Sequence, residues 1–171
     1  MDKNHFTMMA AFNRWANAAI YDAAAELDGE EFTRDVSAFF KSMMGTLNHL
    51  LVTDRIWMLR FTGEGEAPGS LDAILYRALP GLRIARELED RRIADWIDSL
   101  DEAAFAGRFS YVTVTNPRVI SQRLAPALVH LFNHQTHHRG QAHTILSLLG
   151  RKPPSLDLIQ FYRTSEGGHF A

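Results

Sequence analysis

His130-Leu131-Phe132-Asn133-His134-Gln135-Thr136-His137-His138-Arg139-Gly140-Gln141 carries four of the chain's eight histidines, and the fold turns on which of them face inward. At about 100° per residue on an α-helix, positions three or four apart share a face. Ala127, Leu131, His134, His138, Ala142, Ile145 and Leu149 then line one side, apolar except for two imidazoles. His130, Asn133, His137, Gln141, Thr144 and Ser147 form the opposing polar stripe. The spacing predicts that His134 and His138 point into a bundle interior, with His130 and His137 at its margin or in solvent.

Two inward imidazoles one turn apart need partners, and charging both in a low-dielectric interior is costly. A metal ion resolves the conflict by accepting a lone pair from each neutral ring, and rings at i and i+4 on one helix can converge on one ion. The bland alternative is a pair of hydrogen-bonded core histidines. A third ligand has to come from another helix. His49 is the best candidate, because in Asn48-His49-Leu50-Leu51 it flanks the apolar stripe of Leu47 and Leu50. Three histidines without a thiolate leave a coordination position for water or substrate, the layout of a reactive site. Imidazole ligation suits Zn, Ni, Cu or Fe alike.

Working outward, the segment ends at Gly150 and Pro153-Pro154, so the last long helix spans about Ser121 to Leu149. Upstream, Phe109 to Thr115 partly alternates β-branched and aromatic residues before the turn signal Asn116-Pro117, which predicts a small two-stranded ribbon. A first helix is expected over about Lys3–Leu27, closed by Asp28-Gly29. A second should run to about Phe61 with Ser37 as N-cap, and a third from near Pro80 to Ser99, with Arg86, Asp90 and Asp95 on its solvated face. Leu71 to Leu79 could add a separate helical turn, and Asp157 to Tyr162 a short one packed back on the body. Asp54 sits on an apolar stripe and reads as a buried salt-bridge or hydrogen-bond partner, Arg139 as half of an ion pair, and Trp15, Trp57 and Trp96 as core aromatics. The architecture is therefore all-α: one four-helix bundle domain with a β-ribbon before its last long helix.

The whole-chain numbers exclude several function classes. Its 171 residues suffice for one domain with a sizeable core. A net charge of −2 with scattered Lys and Arg argues against nucleic acid. Without cysteine there can be no disulfide, thiolate metal site, iron–sulfur cluster or cysteine nucleophile. No apolar run is long enough for a bilayer, and Met1-Asp2-Lys3-Asn4-His5 lacks a signal-peptide layout, so the chain reads as cytoplasmic.

Gly45-Thr46-Leu47-Asn48-His49-Leu50-Leu51-Val52-Thr53-Asp54-Arg55-Ile56-Trp57 resembles the second-helix signature of the DinB-like family of bacterial metal-dependent proteins, which is distinct from the lesion-bypass polymerase sharing that name. His130 to Gln141 is similar to its fourth-helix signature, and Asn13-Arg14-Trp15-Ala16-Asn17 to its N-terminal segment. The resemblance implies an up-down-down-up bundle with its crossover between the second and third helices. It implies a metal, zinc or nickel, held by His49, His134 and His138, and a homodimer. Related members include enzymes that use low-molecular-weight thiols as S-transferases or as a maleylpyruvate isomerase.

The leading expectation is thus a metal-dependent enzyme acting on a small molecule, with thiol-dependent transfer the favoured subclass. No general base is fixed; Asp54, His137 and Tyr111 are the residues to weigh. Two alternatives predict different behaviour: a non-catalytic metal- or small-ligand-binding stress-response protein, and a metal-free dimeric helical scaffold.

Overall fold

The computed structural model describes residues 2–113 and 117–171. Long helices form over α1 (Lys3–Ala24), α3 (Met43–Thr62), α4 (Leu79–Ser99) and α6 (Leu124–Leu148), with short helices α2 (Gly29–Thr33), α5 (Glu102–Ala106) and α7 (Leu158–Phe161). Strands β1 (Arg108–Val112) and β2 (Val119–Arg123) pair antiparallel immediately before α6, with Tyr111 opposite Ile120. The expected turn residue Asn116 lies outside the described residues.

Helix α1 packs against α4 and α6, and α3 against the same two. One apolar cluster joins the end of α1 (Ile20, Tyr21, Ala24) to the starts of α3 (Met43, Leu47) and α4 (Leu82, Ala85) and the end of α6 (Ala142, Ile145, Leu146). A second joins the start of α1 (Phe6) to the ends of α3 (Met58) and α4 (Ile93, Ile97) and the start of α6 (Leu128, Leu131, Phe132). Those pairings fix the directions as up, down, down, up. The tail closes a third cluster, in which Phe161 sits against Phe12 and Trp15.

Several boundaries differ from the sequence expectation, each for a local reason. The N-cap of α3 is Ser42, whose hydroxyl accepts from the Gly45 N–H at 3.1 Å, rather than Ser37. Ser37 instead takes a positive φ of 60° and Lys41 one of 68°, around a tight turn bridged by Ala38 and Lys41. Asp28 does not close α1 but starts α2, in a capping box with Glu31. Residues 71–78 form a turn and bends rather than a separate helical turn, and Leu79 already opens α4. Ser121 belongs to β2, so α6 starts at Leu124 and Pro126 falls in its first turn, where a missing N–H costs nothing.

Between the two apolar clusters lies a buried polar layer. Arg86 and Asp90, expected in solvent, are 2% and 4% exposed; Asp95 alone of that trio is exposed. The Arg86 guanidinium lies 2.7 Å from Asp54 and 3.0 Å from Asp90. Asp90 accepts from the side-chain amides of Asn13 and Asn17. Arg139 is buried too, but it donates to the carbonyl oxygens of Asn13 and Asn17 instead of forming the expected ion pair. Asp54 also accepts from Gln135 at 2.5 Å, which locks α3 to α6 one residue beyond His134.

Candidate metal centre

The structure brings His49, His134 and His138 together, with one ring nitrogen of each within 4.8 Å of the others. His49 comes from the middle of α3, and the other two from successive turns of α6. His130 and His137 stay outside the cluster and are exposed, as their stripe required.

Each of two rings is aimed by a bond on its far nitrogen. His49 Nδ1 lies 2.8 Å from the Leu71 carbonyl. A carbonyl only accepts, so Nδ1 carries the proton and Nε2 keeps its lone pair. His138 Nδ1 donates to Gln141 Oε1 at 2.7 Å, which leaves its Nε2 free as well. The two Nε2 atoms then face each other at 3.2 Å. Two lone pairs at that separation repel unless a positive charge lies between them. Nitrogens bound to one tetrahedral ion at about 2.0–2.1 Å stand about 3.3 Å apart, so the donor set fits a shared divalent ion. Carbonyl and amide partners on the far nitrogens are what orient ligand histidines at such centres.

The sequence explains how Leu71 arrives there. The crossover after α3 is held by Asn48, one residue before His49. Its Oδ1 accepts from the Leu75 and Tyr76 N–H groups at 2.8 and 2.9 Å, and its Nδ2 donates to the Tyr76 carbonyl at 2.8 Å. Asn48 therefore pins the loop that presents the carbonyl to the adjacent ligand. Phe40, which the sequence reading missed, stacks on His49 with ring centroids 3.8 Å apart and meets His138 edge-on. Only glycine fits at position 45 beside it, since a Cβ there would stand 2.0 Å from the Phe40 carbonyl oxygen. The signal was available: Gly45 occupies the first turn of a helix, where a small residue marks close backbone approach.

All three rings are held neutral. Burial pushes His49 down to about 4, with the Leu71 carbonyl opposing and the His138 charge adding to the shift. His134 falls to about 3, through burial and then the neighbouring imidazoles. His138 is also lowered, burial outweighing its bond to Gln141. The metal-free protein is therefore expected to lose stability as pH falls from 6.5 toward 4. The unfolded chain takes up these protons near 6.5 while the native state refuses them, so unfolding is proton-coupled in that window. Burial raises Asp54 to about 6, which works in the opposite direction between 3.8 and 6, but one carboxyl opposes three imidazoles. Urea midpoints at several pH values, in chelator, should fall with acid, and His134→Leu should flatten the slope.

A cavity of about 900 Å³ opens onto the cluster, lined by all three histidines with Phe39, Phe40 and His137 among others. A smaller one of about 270 Å³ also reaches His49 and His134. Of the residues weighed as general base, His137 lines the larger cavity and Tyr111 the smaller. Asp54 reaches neither, being fully buried against Arg86 and Gln135, which agrees with its reading as a structural partner.

The fold and this cluster define a class, a four-helix bundle with three histidines that could hold a divalent ion. Within it, the chain belongs to the DinB family, whose sequence pattern matches residues 1–167. It is 23% identical over 154 residues to "Protein DinB" of Bacillus subtilis strain 168, covering 81% of this chain and 83% of that one. The fold is similar to that of a DinB-like protein from Bacillus cereus ATCC 10987, with a TM-score of 0.59 and 18% identity over 82% of this chain and 90% of the other. No helix among the described residues is long and apolar enough to cross a membrane.

Proposed function

We propose that this protein is a metal-dependent enzyme acting on a small molecule, with zinc or nickel held by His49, His134 and His138. The observation that carries this reading is the pair of lone-pair-bearing Nε2 atoms 3.2 Å apart, at the wall of a cavity of about 900 Å³. A closed and dry site would favour mere metal storage; a roomy pocket beside the cluster favours turnover. When bound, the ion supplies Lewis acidity that lowers the pKa of a ligated nucleophile. The chain's own part is to orient two ligand rings through Leu71 and Gln141, exclude water from one side of His49 with Phe40, and offer an apolar chamber to the substrate.

Thiol-dependent transfer is the subclass we favour, from the family resemblance together with a chamber large enough for a small thiol and its acceptor. Cytoplasmic location and a homodimer belong to the same proposal. His137 is placed to move a proton at the chamber wall, where its Nε2 meets the Gln141 amide at 3.4 Å. The test is turnover of electrophiles with a panel of low-molecular-weight thiols, using metal-loaded wild type and His134→Ala. Activity should appear with metal and vanish in the variant. Stoichiometric metal without turnover across the panel would support the binding-protein alternative.

A further inference from the structure

The smaller cavity holds a charge that the metal centre does not use. On α3, His49, Thr53, Ile56 and Arg60 recur at i, i+4, i+7 and i+11, so they form one stripe, and all four line this chamber. His130 and His134 form its wall on α6, and Tyr111 of β1 closes it. The Arg60 guanidinium lies over the rings of Trp57 and Tyr111, 4.6 and 4.4 Å from their centroids. Trp57 in turn contacts His130, and His130 contacts His134, with centroids 5.2 and 5.9 Å apart.

Among the described residues, Arg60 has no ion pair and no hydrogen-bond acceptor, although it is half-buried. Nearby Arg55 and Arg86, on the same and the facing helix, both have carboxylate partners. Burial disfavours the Arg60 charge, and the side chain lines the chamber. A half-buried guanidinium stacked on two aromatic rings keeps N–H donors available for an anion. Helical side chains lean toward the N-terminus of their helix, which tilts Arg60 back along α3 toward His49.

We propose that this chamber is an oxyanion subsite, in which Arg60 receives a carboxylate or phosphate group of the small-molecule substrate while the rest of that substrate reaches the three-histidine centre. The proposal rests on the metal-centre reading for the role of the anion, but not for its binding. The Cα atoms of His49 and Arg60 are separated by about 16 Å of helix axis. The anionic group is therefore a handle several bonds from the reacting atom, recognised by the fork of donors that a guanidinium offers to two oxygens. Trp57 and Tyr111 hold the guanidinium in place without neutralising it.

The test uses propionate and methyl phosphate as probes, with propionamide as the neutral control. Each is titrated into metal-loaded and chelator-treated full-length protein while the Trp57 indole N–H resonance is followed by NMR. Saturable shifts are expected with at least one anion in both forms, and none with propionamide. Whichever anion binds more tightly distinguishes the carboxylate from the phosphate source. Arg60→Gln should weaken binding by about tenfold or more, and Arg60→Lys should restore part of it, with metal content unchanged in both. Absence of shifts with either anion, or equal binding to Arg60→Gln, overturns the subsite. So does an anion that binds only when metal is loaded and ignores Arg60, because it then sits on the ion. A wild type that takes up no divalent metal when loading is attempted, yet still binds the anion through Arg60, sinks the metal centre and leaves the subsite standing.

Discussion

Untagged wild-type protein is expected to retain one divalent ion per chain after purification, and His134→Ala to lose it, with affinity down by more than about 100-fold. Breaking a partner that merely orients a ligand costs about 10–100-fold, so deleting one of three ligands must cost more. The remaining pair, His49 and His138, still meet at 3.2 Å, but the third nitrogen of the cluster is gone. The same ion should support the fold, because it ties α3 to α6 and has no preformed site in the unfolded chain. At free metal a thousandfold above Kd the linkage is about 4 kcal/mol, on the order of 10 °C in Tm for a chain of this size. Elemental analysis and melting with and without chelator read both quantities. His134→Ala should melt the same either way. A wild type that carries no metal and ignores chelator would be the dimeric scaffold instead.

The clustering of the three histidines was legible because its geometry is local. His134 and His138 are one turn apart on an otherwise apolar face, and periodicity alone turns them inward. His49 could be reached from the same kind of argument on a second helix. What holds the rings was not legible. The Leu71 carbonyl arrives from the crossover loop, and nothing in Leu71 itself marks it; only Asn48, clamping Leu75 and Tyr76, makes the loop turn back. Phe40 was read as part of a helix that in fact begins after Ser42. The start of α6 was misplaced for a reason the sequence did contain. A helix from Ser121 would put Pro126 beyond the first turn, where its missing N–H and ring would break a hydrogen bond; starting at Leu124 removes the conflict. Charges were the hardest to place. Arg86 and Asp90 lie at i and i+4 and look like a surface pair, yet their partners Asp54, Asn13 and Asn17 come from two other helices. No single-helix pattern carries that information.

Those buried charges give the second large effect. Arg86→Met is expected to destabilise the protein by about 3–5 kcal/mol, the usual cost of removing one partner from a buried ion pair. Arg86 is 2% exposed, and it lies against both Asp54 and Asp90, so its loss strands two carboxylates at once. Gln135 and the two asparagines can keep hydrogen-bonding them, but supply no charge. Arg139 remains, tied to the asparagine carbonyl oxygens rather than to either carboxylate. The loss should depend on pH. Burial already raises Asp54 to about 6 with Arg86 in place, and removing that cation raises it further. A carboxyl whose folded-state pKa lies above its unfolded value contributes stability that disappears as pH rises through the folded value. The deficit of Arg86→Met relative to wild type should therefore be largest near pH 8 and shrink toward pH 5. Adding Asp54→Leu should recover part of it at pH 8, since one stranded charge is gone and a hydrophobic side chain of similar size takes its place. Urea midpoints for the two single variants and the double variant, at both pH values, supply the cycle. A deficit under 1 kcal/mol that does not change with pH would mean that water reaches this layer and screens it. The layer would then be a wet seam in the bundle, and Gln135 could no longer be credited with fixing α3 against α6 beside His134.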